Sequence, residues 1–105
     1  RAGATAAMSR AVRLLPEAEG ELFDAAQWYE RERTGLGAAF IARVRQAFER
    51  LADHPEHHAV VHRDVRMAFV APFPYVILYR AELDGIVVVA VFHTSRDSAA
   101  WKSRS

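Results

Sequence analysis

Apolar residues recur at helical spacing in the first half of the chain and at strand spacing in the second. From Glu17 onward they form one stripe of a helix, and after a break at Gly35 and Gly37 they form another that stops at Pro55. The stripes consist of Ala18, Leu22, Ala25, Ala26 and Tyr29, and then of Leu36, Phe40, Val44, Ala47, Phe48 and Leu51. Because the break is short, we expect the two helices to pack as an antiparallel hairpin.

The remaining segments have the composition of strands. Residues 10 to 15 predict a short strand that Pro16 ends, and Val65, Met67 and Phe69 would share one face of a later strand. Residues 75 to 80 predict the next strand, and Asp84-Gly85 predicts a hairpin into residues 86 to 92, which are apolar on both faces and therefore central. The predicted fold is α+β: an N-terminal strand, a helical hairpin, then a three-stranded antiparallel meander, with the helices on one face of the sheet.

Length and composition narrow the class of protein. The 105 residues are enough for one domain, which we place at residues 9–105. Residues 1–8 are interpreted as a disordered leader or a tag remnant, and Met8 is a candidate natural start. The absence of cysteine excludes disulfides and thiolate metal sites and suits a reducing cytoplasm. No apolar run approaches the roughly 20 residues of a membrane span. The sequence predicts neither a metal nor a cofactor.

Charge is balanced overall and unevenly distributed. The formal net charge is +1, without the strong basic bias of a general nucleic-acid coat. The first helix is acidic through Glu17, Glu19, Glu21, Asp24, Glu30 and Glu32, and the chain beyond residue 60 is mildly basic through Arg63, Arg66, Arg80, Arg96, Lys102 and Arg104. One end of the molecule should therefore repel polyanions while the other tolerates them.

Several elements in a fixed order resemble the toxins of the RelE/ParE superfamily over roughly residues 10 to 104. They are the short opening strand, Trp28-Tyr29-Glu30, Gly35-Leu36-Gly37, Ala38-Ala39-Phe40, Pro55, Val65-Arg66, Phe73-Pro74-Tyr75 with Tyr79, and His93-Thr94-Ser95-Arg96-Asp97 with Trp101. The chain end has no late tyrosine and is more similar to the ParE (plasmid stabilisation) branch. The resemblance implies a bacterial type II toxin, neutralised by a cognate antitoxin in a hetero-oligomer. ParE-like toxins inhibit a topoisomerase such as DNA gyrase; the alternative is a ribosome-dependent mRNA endonuclease.

Three basic residues are the catalytic candidates if the chain is a nuclease. The planar fork of Arg66 suits a phosphate, and the resemblance places it where ribosome-dependent members carry a basic residue against mRNA. An imidazole such as that of His93 can shuttle protons in RNA transesterification, and Arg96 would offset charge on the phosphate. Alternatively, Arg66 pairs with Asp64 or Glu82, His93 and Asp97 fix a turn, and Arg96 pairs with a helix acid.

Other side chains have structural and functional interpretations as well. Tyr75 and Tyr79 should point to the same sheet face, where packing is favoured over base stacking. The loop histidines His54, His57, His58 and His62 lack metal-site spacing and are interpreted as solvated. Phe23 and Trp28 lie at or beyond the margins of their helical stripe, so at least one should be exposed. They are the candidate antitoxin-binding residues, unless the N-terminal strand or the C-terminal tail covers them.

Overall fold

A computed structural model of the chain describes residues 11–104, which form five strands and three helices. The elements are β1 (Ala11–Leu14), α1 (Pro16–Glu32), α2 (Leu36–Asp53), β2 (Val60–His62), β3 (Val65–Phe69), β4 (Tyr75–Glu82), β5 (Gly85–His93) and α3 (Ala99–Lys102). The predicted leader, residues 1–8, lies outside the described residues.

The strands form one sheet in the order β1-β5-β4-β3-β2, with β1 parallel to β5 and the other pairs antiparallel. The α+β class, the helical hairpin and the meander are therefore as predicted. The meander contains one further strand, β2, of only three residues at the sheet edge, where Val60 and Val61 are 49% and 43% exposed. So short a strand, half in solvent, leaves almost no period for a sequence pattern to indicate.

Strand β5 is buried on both faces, and a bulge within it changes which of its side chains point to each face. Its pairing with β4 shifts between Leu78, opposite Ala90, and Tyr79, opposite Val88. As a result, Val88 and Val91 join the core under the helices, whereas Val89 joins a second cluster on the other face of the sheet. The second cluster consists of Val65, Val76, Leu78, Val87, Val89, Ala90, Phe92 and Trp101. The prediction of a central strand at residues 86 to 92 is confirmed.

The helical hairpin depends on two glycines and one glutamate. Gly35 adopts the left-handed conformation (φ 91°) that reverses the chain between the helices. At Gly37 the helices touch, because a Cβ there would lie 2.5 Å from the carbonyl oxygen of Ala26. The carboxylate of Glu30 accepts hydrogen bonds from the N–H groups of Gly35 (2.9 Å) and Gly37 (3.0 Å). The end of α1 thus fixes the start of α2.

The hairpin between β4 and β5 turns one residue earlier than Asp84-Gly85 predicts. Glu82 and Gly85 face each other, so the two turn residues are Leu83 and Asp84, and the Leu83 side chain is 99% exposed. A Cβ on Gly85 would lie 2.8 Å from the carbonyl oxygen of Ala11. The glycine is needed for the close approach of β1 rather than for the turn.

Candidate functional site

Arg66 on β3 holds the loop that follows α2. Its guanidinium donates to the backbone carbonyl of His58 at 2.6 Å and to that of Glu56 at 3.2 Å. Within residues 11–104 it forms no ion pair with Asp64 or Glu82, the partners that the sequence suggested. Glu82 pairs instead with Arg80 (3.6 Å) and, more loosely, with Arg13 (3.8 Å). The Arg66 guanidinium therefore stabilises the loop by donating to its backbone carbonyls.

Tyr79, which lies opposite Arg66 on the neighbouring strand β4, anchors the same loop. Its hydroxyl donates to the carbonyl of Pro55 at 2.9 Å and lies 3.4 Å from Nδ1 of His58. Burial raises the pKa of the Tyr79 phenol, and the neighbouring Arg66 charge partly offsets that rise. Tyr75 lies four residues earlier in the same strand and also packs against the core under the helices. The preference for packing over base stacking is consistent with these contacts.

His93 and Arg96 lie together beside α1. They line a cleft of about 200 Å³ with Glu21, Asp24, Ala25, Trp28, Tyr75 and Val91. Nδ1 of His93 accepts the Ser95 N–H at 3.0 Å and lies 2.8 Å from the Ser95 hydroxyl, and its ring meets Tyr75 edge-on at 5.2 Å. Arg96 lies over the Phe92 ring at 4.5 Å. His93 thus fixes the turn that follows β5 through its contacts with Ser95. The Asp97 carboxylate accepts the Ala99 N–H and so fixes the start of α3.

Arg66 lies far from the other two nuclease candidates. It opposes Tyr79, whereas His93 opposes Tyr75, and β4 separates the two strands concerned. Four residues along β4 and two strand spacings across the sheet put the Arg66 and His93 backbones about 16 Å apart. The structure therefore brings His93 and Arg96 to one cleft and holds the Arg66 guanidinium elsewhere, on the loop carbonyls of Glu56 and His58.

A partly buried ion pair that the sequence did not indicate lies beside this cleft. Arg104 reaches Glu21 through two hydrogen bonds of 2.9 and 3.1 Å, and also donates to the Val89 carbonyl at 3.0 Å. Glu21 in turn accepts the Val91 N–H at 3.0 Å. The backbone of the N-terminal segment bonds β5 as far as Leu15, whose N–H donates to the Val88 carbonyl. Beyond that point, the side chains of Glu21 and Arg104 take over as hydrogen-bond partners of the β5 backbone. Glu21 and Arg104 are 83 positions apart, so no local sequence pattern indicates that they are in contact.

Phe23 and Trp28 are both exposed, on opposite flanks of α1. Their exposed fractions are 60% and 50%. Five residues of helix rotate their side chains about 140° apart around the axis. Trp28 lies on the flank that lines the His93 cleft, and Phe23 lies on the flank of Ala26 and Glu30, where α2 packs. The two aromatics therefore mark two separate surfaces.

Comparisons with known proteins identify the family. Residues 12–98 match the model of the ParE toxin of the type II toxin-antitoxin system, parDE, so the chain belongs to the ParE toxin family. Its fold is similar to that of a solved structure described as the chromosomal ParDE TA system from P. aeruginosa. The TM-score is 0.71 at 11% identity, covering 82% of this chain and 97% of the other. A search of curated proteins found no match. Among residues 11–104, no helix is long and apolar enough to cross a bilayer.

Proposed function

We propose that this chain is a growth-inhibiting toxin that binds and poisons a topoisomerase such as DNA gyrase in the cytoplasm, and that a cognate antitoxin keeps it inactive. The family match over residues 12–98 carries the proposal. The separation of Arg66 from His93 and Arg96 supports a binding toxin, because RNA cleavage by these three residues would require them to converge on one phosphate.

The alternative is a ribosome-dependent mRNA endonuclease, and one observation favours it. His93, Arg96 and the Tyr75 ring line the same cleft, so a proton-transfer group and a cation are available side by side. In this version the two residues His93 and Arg96 would act without Arg66.

Expression of the chain in bacteria without the antitoxin separates the two functions. We expect induction of the DNA-damage response with intact mRNA, and, with purified gyrase, loss of supercoiling in proportion to added toxin. His93→Ala and Arg96→Ala should leave these effects in place if the residues are not catalytic. Cleaved mRNA with intact chromosomes, abolished by His93→Ala, would establish the nuclease and overturn the topoisomerase proposal.

We also propose that the exposed aromatics of α1 are antitoxin contacts. Phe23 and Trp28 are large apolar side chains on a helix that carries Glu17, Glu19, Asp24 and Glu32 in solvent, so a partner segment with apolar anchors and basic flanks would complement them. Because the two rings lie on opposite flanks, an antitoxin that covers both must cross α1 rather than follow one side of it.

Single substitutions test each flank independently. Trp28→Asp and Phe23→Asp should each weaken binding of the antitoxin at least about ten-fold, since buried interface aromatics contribute about 2 kcal/mol or more. Phe69→Asp is the matched control, because Phe69 is 62% exposed, like Phe23, but lies on β3. Affinity retained by one α1 variant would remove that flank from the interface.

A further inference from the structure

A second cleft, at the carboxyl end of α2, is lined by one arginine and three histidines. Its volume is about 350 Å³, and Arg50, His54, His57 and His58 form its wall. The His54 and His57 rings lie 6.4 Å apart, and the His57 and His58 rings 5.4 Å apart. Within the described chain, no salt bridge or side-chain hydrogen bond occupies the Arg50 guanidinium. Four groups that can carry positive charge thus surround one open space.

The surroundings of the cleft determine its charge. Arg66 lies behind His58 and is held by the loop carbonyls, and the Tyr79 hydroxyl contacts the His58 ring. Asp53 and Glu56 line a neighbouring cleft, which shares His54 and His57. When the imidazoles are neutral, the two carboxylates formally offset the two guanidinium groups of Arg50 and Arg66. Each imidazole that takes up a proton adds one uncompensated positive charge.

The histidines do not form a metal site in the described part of the chain. No three His, Asp or Glu side chains between residues 11 and 104 have the geometry to hold a metal ion. Burial lowers the pKa of His58, and the nearby His57, Arg50 and Arg66 lower it further. Cations that crowd one another in this way are stabilised by an anion among them.

We propose that Arg50, His54, His57 and His58 form a binding site for an oxyanion of the phosphate type, either free phosphate or a phosphodiester of a nucleic-acid strand. The guanidinium supplies a permanent charge with a planar fork of donors, and the imidazoles supply N–H donors on protonation. Protonation of an imidazole in the cleft adds a positive charge and an N–H donor, and so strengthens the attraction for the anion. This inference does not depend on the identity of the toxin's target.

Sulfate is a suitable probe because its charge does not change near neutral pH, unlike that of phosphate. The imidazole resonances of the chain are followed by NMR while sodium sulfate replaces chloride at constant ionic strength, at pH 6.0 and at pH 8.0. We expect the resonances of His54, His57 and His58 to move together at pH 6.0. His62 against Trp101 and His93 beside Ser95 are internal controls that lie outside the cleft. At pH 8.0 we expect weaker binding than at pH 6.0, because imidazoles carry less positive charge there.

Two arginines of the same helix provide matched variants. Arg50→Gln should weaken sulfate binding about ten-fold, the loss expected for one charge-assisted hydrogen bond, whereas Arg45→Gln on the exposed surface of α2 should leave it unchanged. A short DNA duplex then replaces sulfate to identify the source of the anion. If DNA moves the same three resonances, the ligand is a nucleic-acid phosphodiester, and if only sulfate does, it is a free oxyanion.

Three results would overturn the proposal. The first is an equal shift of the resonances of all five imidazoles when sulfate is added. The second is an equal loss of sulfate affinity in Arg50→Gln and Arg45→Gln. The third is the absence of any shift of the His54, His57 and His58 resonances with sulfate at pH 6.0. The first two would show general screening of surface charge rather than a site.

Discussion

The carboxylate of Glu21 on α1 and the guanidinium of Arg104 face each other in a two-pronged ion pair with distances of 2.9 and 3.1 Å. Their side chains are only 15% and 17% exposed. Each also bonds a backbone group of β5, Glu21 to Val91 and Arg104 to Val89. The pair continues the hydrogen bonding of the sheet past the end of β1 and ties the last described residues to the first helix.

Removing one partner of this pair should destabilise the protein. Arg104→Met leaves a mostly buried carboxylate without its cation, so we expect the free energy of unfolding in urea to fall by about 3 kcal/mol. Arg13→Met, which breaks a looser pair of 3.8 Å whose side chains are 66% and 40% exposed, should change it by less than about 1 kcal/mol. Adding Glu21→Gln to Arg104→Met should recover part of the loss. Equal effects of the two single variants would contradict this account.

Gly37 should tolerate a methyl group far less well than Gly20. In Gly37→Ala the new Cβ meets the Ala26 carbonyl oxygen at 2.5 Å, so α1 and α2 must separate, which should lower the free energy of unfolding by about 1–3 kcal/mol. In Gly20→Ala, within the second turn of α1, the new Cβ meets nothing within 4 Å, and the higher helix propensity of alanine should raise stability by about 0.5–1 kcal/mol. Thermal unfolding of the two variants should therefore shift in opposite directions.

Arg66 should be needed for the loop between α2 and β2 whether or not the chain is toxic. Arg66→Ala and Arg66→Lys both remove the planar group that donates to Glu56 and His58, so each should cost about 1–3 kcal/mol and speed amide exchange in residues 54 to 59. Arg43→Ala on the exposed surface of α2 is the control. Full stability of Arg66→Lys would show that charge alone, rather than the two-carbonyl geometry, is what the loop requires.

His58 should make the protein less stable in mild acid. Its pKa is lowered in the folded state, so as pH falls below the ordinary value of 6.5 the unfolded chain takes up the proton first. The stability that neutral His58 contributes is therefore complete above that pH and is lost as the pH falls toward the folded-state pKa. In chloride buffers, the free energy of unfolding should fall more between pH 7.5 and 5.5 in the wild type than in His58→Gln. If His62→Gln flattens the profile instead, the acid sensitivity belongs to another imidazole.

Much of the fold could be predicted because its strongest patterns are long. The helical stripes of α1 and α2 run for several turns, and β5 is apolar throughout, so periodicity and run length define them. The bulge near Val89 could not be predicted, since a run of valines contains no mark of which residue is skipped. The same holds for β2, whose three residues follow a histidine-rich loop without a period of their own.

The candidate site was harder to predict than the fold, because side-chain partners are set by distant backbone. The sequence offered Asp64 and Glu82 as partners for Arg66, yet the guanidinium meets two loop carbonyls. Carbonyl direction depends on how the chain leaves α2, and no residue type encodes it. Exposure at the margins of the α1 stripe was predictable, and both Phe23 and Trp28 show it. Their placement on opposite flanks follows from helix geometry alone.

The parallel pairing of β1 with β5 sets an order of events during synthesis. Ala11–Leu14 is synthesised before Gly85–His93, which is its only partner among the described strands. Until that strand arrives, β1 has nothing to pair with, and α1 lacks its later anchor at Arg104. Nascent chains that stop before residue 85 therefore cannot complete the sheet. The sheet is therefore completed only after β5 has been synthesised.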